Sequence, residues 1–417
     1  MRSVLKNRPL RLLFAANFIS MIGSGMNSAA VIWYILQATG SEKVLAALVV
    51  MQAIPTLLLM PFSGVIIDRE DRRRIVMLLD IARALIILVV ALLCFHGSVQ
   101  VWQLFVMNIL VSTGFWMFWP TVNALLQELS STSNLAESNA MLLAGFQGGW
   151  LIAGAIVGFV YNKIGIGGIL FLDVASYGFS IACYAAVRKG RHVVHQHNPE
   201  FAHHSPFKRF FHEMKDGLLF VKDRPYVATI GTTWALFVAA MMVTSVVTAP
   251  ISDKILHAGA TGYGWLNAGW GIGAFLGSLV AARTLEKMGM RRAIVVAMLL
   301  LSAAMFALPF SAWLGVAAAL FFVAGTARGI GGIGLSSCIM TVVPRHYMGR
   351  VQNLFSVLAI VVQIAMAPIV GGTAQGKGLM SAVMIIAAMY LLASFSGVLS
   401  ARGPAIGPPV NDDVQSA

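Results

Sequence analysis

Long apolar runs follow one another along almost the whole chain, and the charged residues gather in the short gaps between them. Twelve runs fall near 10–37, 43–67, 74–95, 100–122, 137–162, 165–187, 226–252, 260–284, 290–310, 312–341, 347–374 and 379–400. Each approaches or exceeds about 20 residues, the length an α-helix needs to cross a hydrocarbon core of roughly 30 Å. Lipid offers no water to an unpaired amide or carbonyl, so each run is expected to be a helix. The pattern predicts an all-α integral membrane protein whose twelve transmembrane helices form two six-helix bundles.

The longest polar stretch, 188–225, divides the chain. Expected units are residues 1–190 (first bundle), 191–225 (linker), 226–400 (second bundle) and 401–417 (a Pro-rich tail read as disordered). From Phe207 the linker turns amphipathic: Phe207, Phe210, Phe211, Met214, Leu218 and Val221 share a helical face, which suits a helix lying in the cytoplasmic membrane interface. Six helices, a linker and six more is the layout of transporters built from parallel halves, each holding inverted three-helix repeats. Leu79-Asp80-Ile81-Ala82 in the third segment and Leu172-Asp173-Val174-Ala175 in the sixth fit such a repeat.

Composition sharpens this reading. The chain is 58% hydrophobic and 11% charged, whereas soluble domains carry about a quarter charged residues. A net charge of +13 invites a nucleic-acid reading, but its distribution argues against one. Of the 29 Lys and Arg, 23 fall in loops on one side; only Lys43, Lys163, Lys254 and Lys377 fall on the other, and Arg83 and Arg328 lie within helices. The positive-inside rule then puts both termini in the cytoplasm, and the basic side suits anionic membrane lipids. Cys94, Cys183 and Cys338 fall in helices and read as small apolar residues. The first run is too long for a cleavable signal core and is expected to remain as the first helix. Six of nine histidines cluster at His192, His195, His197, His203, His204 and His212; a solvated loop and a metal-sensing one are both open. The glycine runs at 262–277 and 325–334 lack the Lys-Ser/Thr that a phosphate loop requires. Gly269, Gly273 and Gly277 instead suit close helix packing. No cofactor or resident metal is expected, and transport must be ion-driven or downhill.

Between the second and third segments stands Gly64-x-x-x-Asp68-Arg69-x-x-Arg72-Arg73-Arg74. This resembles the cytoplasmic signature of the major facilitator superfamily. Gly64 permits close packing, and Asp68 with Arg69, Arg72 and Arg73 suits a conformational latch, one state holding the ion pair and the other breaking it; ordinary positive-inside charge is the alternative, but Asp68 interrupts the basic run. Ile32-Trp33-Tyr34-x-Leu36-x-x-Thr39-Gly40-Ser41, Leu172-Asp173-Val174, Glu213-Met214-Lys215-Asp216-Gly217 and Gly349-Arg350-Val351 resemble the macrolide-efflux branch, which is itself similar to siderophore exporters. Gly154 is followed by Ala155 where the antiporter motif of the fifth helix usually carries Pro. The loop corresponding to Asp68 in the second half, ending Ala281-Ala282-Arg283, lacks the acid.

Candidate binding residues are polar or aromatic positions on otherwise apolar helices: Asn17 and Ser24, Asn108, Trp119 and Asn123, Gln147 and Trp150, Trp234, Asn267 and Gln363. Amides among aromatics suit a bulky, partly apolar ligand; interhelical hydrogen bonding explains them equally well. Charges at membrane depth are costly and therefore informative. Asp173, with Ser176, Tyr177, Ser180 and Tyr184 on one face, is a candidate for proton coupling or a permanently bonded structural carboxylate. Asp80 is a further proton-coupling candidate; placed near the cytoplasmic end of its helix, three residues from Arg83, it reads first as half of a structural pair. Arg328, mid-helix, requires an anionic partner, from the protein or from a substrate.

The resemblance implies a monomeric secondary transporter of the bacterial inner membrane that exports an amphiphilic small molecule of drug or antibiotic type by alternating access with proton antiport. Multidrug resistance is the implied phenotype. A siderophore, lysolipid or metal carrier would keep the architecture, and a non-transporting sensor is the alternative of another class. An embedded enzyme would need a polar catalytic cluster that the segments do not show.

Overall fold

The computed structural model describes residues 7–400 except 70, 98, 132–134, 188–205 and 345–346; at 61–69, 136, 151, 206–209 and 396–400 it describes backbone only. The expected tail, and five of the six clustered histidines, lie outside the described residues. The described chain is helical from end to end, as the apolar runs require.

Helices α1 (Arg8–Thr39), α2 (Glu42–Arg69), α3 (Arg72–Phe95) and α4 (Val101–Leu129) follow the first four runs, each one or more residues longer than its apolar core at one or both ends. The fifth and sixth runs form one helical stretch, Leu135–Ala186, broken at Gly165 (φ 63°, ψ −173°) into α5 (135–164) and α6 (166–186). Only glycine adopts that backbone without strain, so one residue reverses the chain where the sequence suggested a short loop. The interfacial helix α7 is Pro206–Lys222. The second bundle comprises α8 (Pro225–Pro250, continued by a π turn to Ile255), α9 (Gly259–Met288), α10 (Met290–Ala307), α11 (Leu314–Val342), α12 (Met348–Lys377) and α13 (Leu379–Ser400). Among the described residues, twelve membrane helices in two six-helix bundles result.

Apolar side chains point outward as well as inward, as a lipid solvent allows. Leu78, Leu85 and Leu92 on α3 recur every seven residues and are exposed, forming a lipid-facing stripe. With no hydrophobic force between helices in lipid, close backbone approach carries their association. The pair α9–α11 shows this best. A Cβ built on Gly273 would lie 2.1 Å from the Phe322 carbonyl oxygen, and one on Gly325 would lie 2.0 Å from that of Trp270. The glycine spacing therefore does what the sequence suggested.

Helix α7 differs in detail from its expected face. Phe220 and Val221 pack inward, with Phe220 stacked on Tyr347 (4.5 Å), while Phe211 and Leu218 stay exposed. Asp216 pairs with Arg350 at the start of α12 (3.2 Å). The helix is thus docked on the second bundle by its C-terminal turns and leaves apolar side chains for an interface.

Candidate functional site: a buried charge network and a mid-helix arginine

Four helices of the first half converge on a polar network. On α3, Asp80 and Arg83 form a salt bridge one turn apart, and both are essentially inaccessible. They are the ninth and twelfth of 24 residues, so the pair sits mid-helix rather than near the cytoplasmic end. Ser180 on α6 donates to the second oxygen of Asp80 at 2.7 Å. The Arg83 guanidinium lies over the rings of Phe118 (4.3 Å) and Tyr177 (4.7 Å), a kind of contact worth about 2 kcal/mol when desolvated. Asp173 on α6 is fully buried and accepts from Asn27 Nδ2 on α1 at 2.8 Å and from Ser176 at 3.3 Å. The Tyr177 hydroxyl meets Ser24 Oγ at 2.9 Å. Ser24 is half-buried, so a chain of polar groups runs from it into the cluster.

Charge counting defines the chemistry. Two carboxylates and one guanidinium share an enclosed space, so the neutral cluster holds one proton. Uncompensated charge is costly in such surroundings. Asn27, which the sequence reading passed over, is the α1 group that donates to Asp173.

Other candidate residues fall in different places. Asn17 is buried and donates to Tyr184 Oη (2.8 Å) and Leu13 O. Asn108 is engaged by Gln52. Asn123 donates to Trp119 O on its own helix (2.9 Å), and Trp119 packs on Phe146 (4.7 Å). Gln363 donates to Val49 O across the halves at 3.3 Å. Gln147 and Trp150 on α5 remain exposed, and Trp234 is half-buried. Asn267 packs against Gly154, so α5 and α9 meet there, where the position after Gly154 is not Pro.

Arg328 is the fifteenth of 29 residues in α11, its midpoint. It is half-buried. Its Nε–H points at Met241 Sδ (2.9 Å), and its guanidinium carbon lies 5.9 Å from the Trp270 ring. Among the described residues no carboxylate is within ion-pair distance of it.

The expected latch divides. Gly64, Asp68 and Arg69 lie in the last turns of α2, and their side chains fall outside the described residues. Arg72 pairs with Glu128 on α4 (2.5 Å), and Arg73 donates to the Tyr184 and Ala185 carbonyls closing α6 (2.7 and 2.6 Å). Both arginines therefore bind within the first half. Asp71 caps α3 by accepting from the Arg73 and Arg74 amides, a role the sequence reading missed.

At the opposite end, polar contacts cross between the halves. Lys254 Nζ donates to Glu42 Oε1 (2.6 Å) and to Gly40 O (3.0 Å), and Ser41 Oγ donates to Gln375 Oε1 (3.0 Å). Trp33 stacks on Tyr263 (5.7 Å), and a Cβ on Gly158 would lie 2.4 Å from Gly264 Cα. Glu42 is buried by this clamp.

A profile of the Major Facilitator Superfamily matches residues 13–368. The chain belongs to that superfamily. Its transporter fold is seen again in a mutant of the nucleoside transporter NupG, with TM-score 0.75 at 12% identity, covering 94% of this chain and 99% of that one. A bacterial homologue of the human lysosomal transporter Spinster, crystallised inward-facing and unoccupied, gives TM-score 0.67 at 15% identity over 96% and 100%. At such identities these two show the fold alone. Among curated relatives, the transporter is 24% identical to the uncharacterized MFS-type transporter YkuC of Bacillus subtilis (84% of this chain, 82% of that one). It is 23% identical to the multidrug efflux pump Tap of Mycolicibacterium fortuitum (95% and 97%), and 24% identical to macrolide efflux protein A of Streptococcus pyogenes over 42% and 44%. The chain is thus a multi-pass membrane transporter with efflux-type relatives.

Proposed function

We propose that this transporter exports an amphiphilic small molecule of drug or antibiotic type from a bacterial cytoplasm across the inner membrane, by alternating access with proton antiport. The observation that carries the coupling is the enclosed cluster of Asp80, Arg83 and Asp173, whose neutral form holds one proton. Releasing that proton leaves an unpaired charge bonded to α1 through Asn27. Protonation is therefore tied to how α1 packs on α6. Efflux is supported by relatedness to Tap along nearly its whole length.

With both termini in the cytoplasm, as the basic loops favour, the Glu42–Lys254 clamp lies on the outer face, which suits a state closed at that end. The halves, residues 1–190 and 226–400, rock about the midplane while the linker at 191–225 stays docked through α7. Gly64, Asp68, Arg69, Arg72 and Arg73 govern the cytoplasmic end, the last two by anchoring the α2–α3 loop to α4 and α6. The monomer is the working unit in this proposal, with protons, one small-molecule substrate and membrane lipid as its partners.

The test is accumulation of dyes, macrolides and siderophores in cells stripped of their own pumps. Wild type should lower accumulation of at least one compound several-fold. Protonophore, Asp173→Asn and Asp68→Asn should each abolish the effect. Unchanged accumulation across the panel, with the protein verified in the membrane, would sink the drug-export reading.

A further inference from the structure

Each half carries one arginine in the middle of a membrane helix, and the two are treated in opposite ways. Arg83 is enclosed, salt-bridged to Asp80 and covered by two aromatic rings. Arg328 is half-buried and touches a thioether and an indole. The sequence explains why the second half supplies no counter-charge. Between Glu286 and Asp412 the chain contains no acidic residue, and Asp253 and Glu286 each stand at the C-terminal end of a helix. The first half's mid-membrane acids, Asp80 and Asp173, are sealed into their own network.

A guanidinium held at membrane depth without a carboxylate is costly, and such a group marks a water-filled cavity or a ligand site by default. Its place is fixed rigidly. Gly325 and Gly329 press α11 onto the α9 backbone at Trp270 and Ala274. One turn from Trp270, Asn267 packs against Gly154 of the other half. Arg328 therefore stands beside the seam between the halves, with the Trp270 ring next to it and the exposed Trp150 one turn from Gly154 on the facing helix. Carboxylate and phosphate oxygens match the guanidinium fork, and indole faces suit an aromatic or apolar body.

The geometry points to Arg328 as the anion-recognising residue of the transport site: the substrate is an amphiphile carrying a carboxylate or phosphate oxyanion, seated on Arg328 with its apolar body against Trp270. This rests on the transporter reading above and narrows its substrate class.

The test is energy transfer from tryptophan to dansyl probes bound to the full-length protein in neutral-lipid nanodiscs, corrected against empty discs. Dansylglycine carries the oxyanion; dansylcadaverine carries an ammonium group on the same fluorophore. The expected result is at least tenfold tighter binding of dansylglycine, lost in Arg328→Gln and partly kept in Arg328→Lys, whose charge persists without the fork. Equal affinity for the two probes, no specific dansylglycine binding, or an Arg328→Gln variant that binds dansylglycine as wild type does would overturn it. A tenfold, Arg328-dependent weakening in discs containing phosphatidylglycerol would give the site to a lipid headgroup and overturn the substrate assignment. Export of cationic dyes that Arg328→Gln leaves intact would overturn the inference while the transporter reading stands. Specific dansylglycine binding without flux in proteoliposomes would do the reverse.

Discussion

Replacing Arg83 with Met is expected to destabilise the folded protein more than other single changes of similar size. Asp80, fully buried and one turn away, would lose the charge that balances it. Removing one partner of a buried pair costs about 3–5 kcal/mol, because the survivor is left uncompensated. Uptake of a proton by Asp80 relieves part of that, which places the loss toward the lower end of the range. The double variant Asp80→Leu/Arg83→Met removes both charges and is expected to recover most of the stability. Thermal unfolding in detergent followed by intrinsic fluorescence checks both. A single variant as stable as wild type, or a double variant no better than the single, contradicts a tightly coupled pair.

The second large effect is conformational. Lys254→Ala leaves Glu42 buried at the junction of the halves with its only described ion-pair partner gone. Opening that end hydrates the carboxylate, so the variant should favour the state with the Glu42 end open. Lys254 is itself 40% exposed, which limits the effect to a tenfold change in the ratio of states, about 1.4 kcal/mol. Spin labels at the exposed positions 43 and 377, one on each half, report the separation, with Cys94, Cys183 and Cys338 replaced beforehand. Growth of a long-distance population in Lys254→Ala is expected. An unchanged distance distribution shows that the apolar contacts, Trp33 on Tyr263 and Gly158 on Gly264, hold the end closed by themselves.

The membrane helices were legible because lipid imposes one rule on every segment: about 20 apolar residues, helically folded. Ends were less so, because α2, α4 and α9 carry Asp68-Arg69, Glu128 and Glu286-Lys287 on turns that hydropathy alone trims away. The cost of charge in lipid also singled out Asp80, Arg83, Asp173 and Arg328 in advance. It did not distinguish the enclosed arginine from the half-buried one, since that depends on which helix faces pack together. Asn17 and Asn27 have the same chemistry and lie ten residues apart on α1; only packing against Tyr184 and Asp173 gives them their partners. The Glu42–Lys254 clamp was invisible for a related reason. Each residue is an ordinary loop charge until the fold brings positions 212 apart into contact.

The most direct measurement is accumulation of the exported compound in everted membrane vesicles under an imposed pH gradient, acid inside, comparing wild type with Asp173→Asn. The account predicts gradient-dependent accumulation by wild type. It predicts that Asp173→Asn, holding that side chain in its uncharged form, still exchanges substrate across the membrane but no longer concentrates it. Full gradient-driven accumulation by Asp173→Asn would contradict proton coupling through the enclosed carboxylate cluster.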